Sequence, residues 1–276
     1  MGFYDFLNVS VFLFRRKITL RTKFKFWLTY FKLTLKALTL NKLFKLKNEW
    51  ILGFKVSAFD YESICSQFTE IFIYNPYFFR TKRKAPVIFD CGANIGFATI
   101  FFKYVYPESK VYALEPDKQT FGMLKKNIMQ NKLREVYLFN AAAWDEDGRI
   151  AFYIDKKKPG AGLMSSNFKR MPKDKIFVQG LNLGRLMGEK KIDFMKMDIE
   201  GSEGRVIDGL SRDHKLRNIS GLAVEYHHKI RDERSQLAKF LKLFEDSGFE
   251  YHLGAWWAPL YDKNSFQDVM LYFYRI

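Results

Sequence analysis

Two acids and two glycines are spaced for ligand chemistry in the first half of the chain. In the stretch 87–97 an apolar run ends in Asp90, and Gly92 and Gly96 follow two and six positions later, with Asn94 between them. Gly92 lets the chain turn sharply at positive φ, and Gly96 leaves room for a ligand and a helix start to approach. A second apolar run ends in Glu115-Pro116. An acid at that place can accept both hydroxyls of a ribose.

The spacing separates the candidate ligands. A dinucleotide loop reads G-x-G-x-x-G and holds a pyrophosphate on its amides. This loop reads G-x-x-x-G and carries Asp90, which suits a cation better than a phosphate. A ribose bearing an ammonium and a sulfonium is S-adenosylmethionine, and that is the cofactor predicted. Asn140, Ala142 and Asp145, near the end of the third strand, are candidates to frame its adenine.

The acceptor side falls on the fourth and fifth strands. Alternation along 193–200 puts Lys196, Asp198 and Glu200 on one side, and 221–227 offers Glu225 and His227 in the same way. Asp198, Glu200 and His227 are the catalytic candidates. His227 suits a general base because its ordinary pKa is near neutrality. Glu225, Ser165, Ser166 and Tyr77 are the candidates for holding the acceptor. Asp198, Glu200, Glu225 and His227 have the chemistry of divalent-cation ligands, but no metal is predicted. Glu203 reads as charge at a helix N-terminus.

These residues need a sheet to hold them. From Val87 onward apolar runs of strand length alternate with helical periodicity, which predicts an α/β fold. The expected architecture is a Rossmann-like, doubly wound, mostly parallel seven-stranded sheet with helices on both faces. Three segments are expected: a basic helical extension over 1–48, a strand, helix and aromatic loop over 49–80, and the main domain over 81–276. One strand is expected over 50–56, a helix over 61–73, a polar loop over 155–175 and a helix from Leu181.

The charge is uneven. Residues 1–48 carry eleven Lys and Arg against Asp5, which is +10 of the chain's +16. Leu20, Phe24, Trp27, Phe31, Leu35 and Leu38 recur at helical spacing, with Arg21, Lys25, Lys32 and Lys36 beside them. This predicts an amphipathic helix over 17–47 that either lies on an anionic membrane surface or packs on the domain. No apolar run is long enough to span a bilayer. Two cysteines, Cys65 and Cys91, form no metal motif and point to a reducing, cytoplasmic setting. The expected location is cytoplasmic, with attachment to the inner membrane face through the extension.

The segments VIFDCGANIGFAT at 87–99, ALEPD at 113–117, NAAAWDEDG at 140–148, KMDIEGSEGRVIDG at 196–209 and AVEYH at 223–227 resemble the FkbM-type family of class I S-adenosylmethionine-dependent methyltransferases. The resemblance covers about two-thirds of the chain and leaves out the basic extension. It implies O-methylation of a saccharide, glycolipid or sugar-bearing metabolite. Asn75-Pro76-Tyr77-Phe78 is similar to the N-P-P-Y motif of nucleic-acid amino methyltransferases, but it lacks the second proline and precedes the glycine loop. An N-methyltransferase and a non-enzymatic membrane adaptor are therefore the rival readings, and nucleic acid is a disfavoured partner.

Overall fold

The computed structural model describes residues 3–155, 164–167, 174–229, 234, 236–255 and 267–275. The N-terminal layer is α1 (Phe3–Arg15), α2 (Leu20–Leu38) and α3 (Leu40–Phe44), then the hairpin β1 (Asn48–Ile51) and β2 (Phe54–Ser57). α4 (Tyr61–Gln67) runs into a wide π turn at Phe68–Tyr74. The main domain continues with β3 (Val87–Cys91), α5 (Phe97–Val105), β4 (Lys110–Leu114), α6 (Lys118–Gln130) and β5 (Val136–Phe139). Next come β6 (Ala142–Trp144), β7 (Gly148–Ile154), β8 (Met164–Ser165), β9 (Asp174–Asn182) and α7 (Leu183–Met187). The chain closes with β10 (Phe194–Met197), α8 (Glu203–Arg212), β11 (Gly221–Lys229), α9 (Leu237–Asp246), β12 (Glu250–Ala255) and β13 (Gln267–Tyr274).

The seven-stranded sheet has the order β12-β13-β11-β10-β3-β4-β5. The pairs from β11 to β5 are parallel, and β13 runs antiparallel to both neighbours. Strand alternation sends neighbouring residues to opposite cores. Ile88, Val111 and Phe194 join α5, α1 and α2 on one face. Phe89, Met195 and Leu222 join α7, α8 and α9 on the other. The sequence strand order reverses between β3 and β10, and such a switch point opens a crevice beyond the strand ends.

The single helix expected over 17–47 is broken in two. Thr39 leaves helical geometry, and its hydroxyl donates to the Leu35 carbonyl. The single strand expected over 50–56 is a hairpin, because Leu52 and Gly53 both take positive φ. The strand expected to reach Glu200 stops at Met197, and Glu200 turns left-handed at φ 58. Part of the expected 155–175 loop is strand, as is the stretch from Asp174 through Asn182, where a helix from Leu181 was expected. These strands build a second sheet of order β6-β9-β7-β8. Residues 156–163 and 168–173 of that loop lie outside the described residues.

The extension shares the domain's core. Leu13, Phe26 and Leu33 are buried in one cluster with Phe68, Phe72 and Phe101. Each such side chain contributes about 1.5–3 kcal/mol on burial. The join is also ionic. Glu49 accepts from Lys36 (2.8 Å), Tyr61 (2.8 Å), the Trp50 amide (2.9 Å) and Lys32 (3.2 Å). Burial opposes its charge, yet these donors pull its pKa down to about 2. A depressed carboxylate pKa stabilises the fold above its unfolded value near 4.3, and that contribution is lost as pH falls toward 2. Glu49→Ala should therefore cost about 1–3 kcal/mol at neutral pH. Urea unfolding at pH 7 and pH 3 checks this: the gap between variant and wild type should narrow at the lower pH.

Candidate functional site

The loop after β3 is shaped by contact with the turn after β10. A side chain on Gly92 would place its Cβ 1.8 Å from the Asp198 carbonyl oxygen, so only glycine fits. Gly92 holds φ 78, and its amide and that of Ala93 both donate to the Leu114 carbonyl. Gly96 holds φ 94, but a Cβ there would lie 2.7 Å from Leu124 Cδ1 of α6. That glycine makes room for helix packing, not for the ligand approach expected of it.

The strand-end acids divide. Asp90 is fully buried beneath the loop. It accepts from the Thr99 hydroxyl at 2.6 Å and lies 3.7 Å from the Lys196 ammonium. Burial raises its pKa against the pull of Lys196 and Thr99. It anchors the loop from below and does not line the cleft, contrary to the expectation of a cation-facing acid. Glu115 does line the cleft. One carboxylate oxygen accepts from the Asn94 amide (3.0 Å) and the other from the Asp117 amide (2.9 Å). Burial outweighs those donors and lifts its pKa to about 8.

The empty space of the cleft beside them, open solvent included, is about 580 Å³. Its floor is Gly92 and Asn94, with Glu115 and Pro116 on one wall. Ala142, Trp144, Phe152 and Ile199 form an apolar slot. Asn140 is not part of it: its side-chain amide donates to the Glu115 and Pro116 carbonyls, at 3.0 Å each, and so braces that wall. Asp145 pairs with Arg205 at 2.6 Å, and the Arg205 guanidinium lies over the Trp144 ring. Trp144 and Phe152 were missed as lining residues. Trp144 sits within the quoted 140–148 segment, but strand alternation in the second sheet is what turns Phe152 inward.

The residues fit S-adenosylmethionine on structural grounds. Glu115 presents a carboxylate at the end of β4, where a ribose diol is met. The apolar slot suits an adenine. Asn94 Oδ1 is buried with no partner among the described residues, an acceptor matched to an ammonium.

A second cleft shares Gly92, Asn94, Asp198 and Glu200 with the first. It adds Ser66, Glu70, Tyr77, Lys196 and Glu225. Tyr77 and Glu225, both acceptor candidates, line this cleft. Glu70, on the π turn, was missed, because nothing in helical periodicity marks a residue that only a widened turn brings inward. Lys196 is buried between Asp198 (3.4 Å) and Asp90 (3.7 Å) and donates to the Gly92 carbonyl. Burial opposes its charge, but the two acids hold its pKa above the ordinary lysine value. Asp198 and burial together lift Glu225 to about 8.

His227 stands behind this cleft, not in its wall. Its Nδ1 meets Glu203 at 2.9 Å, and its Nε2 lies 3.4 Å from Glu200. Glu203 also accepts the Ile199 (3.2 Å) and Gly201 (3.0 Å) amides, so one buried carboxylate fastens both the turn and the ring. Burial works against its ionisation, yet His227 and the Gly201 amide keep its pKa low. Ligand atoms of Asp198, Glu225 and His227 lie within 4.8 Å of one another, a spacing open to a divalent cation. Ser165 is fully buried and its hydroxyl donates to the Glu200 carbonyl, so it supports the turn and holds no acceptor. Ser166 bonds Ser202, and both line the first cleft, on the cofactor side.

Residues 90–251, more than half of the chain, match the Methyltransferase FkbM domain. Methyltransferase 1 of Beauveria bassiana is 28% identical over 200 residues, covering 65% of this chain and 78% of that protein. The 31-O-demethyl-FK506 methyltransferase FkbM of Streptomyces tacrolimicus is 28% identical over 202 residues, covering 60% and 74%. Among solved structures, Methyltransferase FkbM from Methylobacillus flagellatus aligns with TM-score 0.47 and 18% identity over 78% of this chain. The chain spans about half (54%) of that protein's length.

Replacing Glu115 tests the ribose contact. Calorimetric titration of Glu115→Ala with S-adenosylmethionine should show affinity weakened by about 1–3 kcal/mol, the scale for hydrogen bonds to a charged group. Because the free carboxyl titrates near 8, wild-type affinity should rise from pH 7 to pH 9 more steeply than that of Glu115→Gln. Equal slopes would remove the assignment.

Proposed function

The chain belongs to the FkbM methyltransferase family, and on that premise we propose that it methylates a hydroxyl of a saccharide or glycolipid. S-adenosylmethionine is the cofactor; when bound it supplies an electrophilic methyl group on a sulfonium, which is already a good leaving group. What remains for the protein is to hold the acceptor in line and to take its proton.

One observation carries the reading: the two clefts share a wall, and the second is lined by carboxylates and hydroxyls. Glu70, Asp198, Glu200 and Glu225 face it with Ser63 and Ser66. Carboxylates accept hydrogen bonds from a polyol and repel a phosphate backbone, which argues against nucleic acid. At Ser66, Glu70 and Glu225 this cleft runs into a groove bordered by Tyr30, Pro76, Phe78 and Met270. A polar head beside an apolar channel suits an acceptor with a lipid or aglycone attached. The name of the Streptomyces relative places its methyl group on oxygen, which supports the same chemistry here.

Glu225 is the base this geometry favours. It faces the acceptor cleft, and with a pKa near 8 it binds a proton more strongly than an ordinary carboxylate. Asp198 keeps Lys196 in place and orients the acceptor from the shared wall. His227 acts through Glu200, whose left-handed turn it steadies.

Incubation with methyl-labelled cofactor and a panel of sugars, glycolipids and amines tests the reading. Label should enter a hydroxyl, and Glu225→Gln should lower kcat by about 100-fold while cofactor affinity stays within a factor of about two. Label found on amines alone would sink O-methylation. An unaltered kcat would remove Glu225 as base.

A further inference from the structure

α2 carries two apolar stripes, and the fold uses only one. Phe26, Tyr30 and Leu33 are buried against the domain. Leu20, Phe24, Leu28, Phe31, Leu35 and Leu38 recur at steps of three and four, and all are exposed. That spacing gathers them into one line along the helix. On α1, Leu7, Val11 and Phe14 form a matching exposed line, while Val9 and Leu13 turn inward. The two lines meet along the seam where Phe6 packs on Trp27 and Phe31. At opposite ends of the layer, Leu20 at the start of α2 and Leu43 in α3 each leave 76% of their surface in water.

A continuous apolar surface of this kind has a partner. Its borders say which. Arg15, Lys17, Arg21 and Lys25 are exposed along one part of the rim, and Lys42, Lys45 and Lys47 at the α3 end. Within residues 1–48 one acid, Asp5, stands against eleven cations, of which Lys32 and Lys36 turn to Glu49. Leucine and phenylalanine side chains have nothing to pair with in a phosphate backbone, but they insert into acyl chains while cations meet the headgroups. No described helix is long and apolar enough to cross a membrane, so this layer would lie along one.

We propose that the outer face of α1–α3 docks on an anionic lipid bilayer. This goes beyond the methyl-transfer reading and stands independently of it. The inward stripe fixes the enzyme domain to the same helices, so the domain rests on the bilayer without a linker. The groove bordered by Val9 and Tyr30 lies on the inward side of these helices, beside the acceptor cleft.

The test uses the full chain, because deleting residues 1–48 would strip Leu13, Phe26 and Leu33 from the core. Sedimentation is measured with phosphatidylcholine vesicles and with vesicles that also contain phosphatidylglycerol. The protein should pellet with the anionic vesicles and remain in solution with the neutral ones. A triple variant, Phe24→Ser with Leu28→Ser and Leu35→Ser, should lose at least about tenfold in partition. Lys17→Glu with Arg21→Glu and Lys25→Glu should do the same. Both variants should keep the wild-type unfolding midpoint and cofactor affinity, readouts that also separate this proposal from the function assignment. Wild-type protein that ignores both vesicle types overturns the proposal, as does full binding by the serine variant. A wild-type dimer that the serine variant dissociates, with no vesicle binding, assigns the face to a second copy and likewise overturns it.

Discussion

The Lys196 ammonium lies in the interior of the sheet's carboxyl edge, between one acid on β3 and another in the turn after its own strand. A buried cation is costly unless its surroundings answer it fully. Here Asp90 answers from β3, Asp198 from the turn after β10, and the Gly92 carbonyl from the glycine loop. The lysine therefore ties the floor of the cofactor cleft to the wall of the acceptor cleft. Gly92 completes the tie by letting the Asp198 carbonyl come close. Glu203 repeats the device one layer out, binding the Ile199 and Gly201 amides and the His227 ring. Side chains that face both clefts are thus held by a lysine that lines only the second and by a glutamate that lines neither.

The sheet was legible because its strands are short apolar runs ending in acids or glycines, and the structure has the expected seven strands. What the sequence could not fix was which way each acid points. Asp90 and Glu115 look alike as strand-end carboxylates, yet one points under the loop and one into the cleft. Glu200 read as a strand residue because alternation was extended past Met197. The left-handed backbone there is imposed by Glu203 from beyond the turn. The second sheet escaped notice because β9 pairs with partners 20 to 38 residues away in sequence. Trp144 and Phe152 became cleft residues only through that pairing.

The N-terminal segment shows a different limit. Helical periodicity says that a face is apolar and leaves open whether protein or lipid covers it. The residues singled out by spacing, from Leu20 to Leu38, are mostly the ones left in water. The stripe that the core uses, Phe26, Tyr30 and Leu33, is interleaved with them. A helix apolar on two sides and basic between them satisfies both readings of the sequence. It carries core for the domain on one side and an unspent surface on the other.

The shared wall between the two clefts has a consequence for the order of events. Gly92, Asn94, Asp198 and Glu200 each belong to both spaces, so neither ligand meets a wall indifferent to the other. Any displacement of that partition by one occupant alters the affinity of the second, and reciprocity requires the same factor in the opposite direction. Two spaces built against the same four residues are therefore coupled wherever that wall moves, and independent wherever it is rigid.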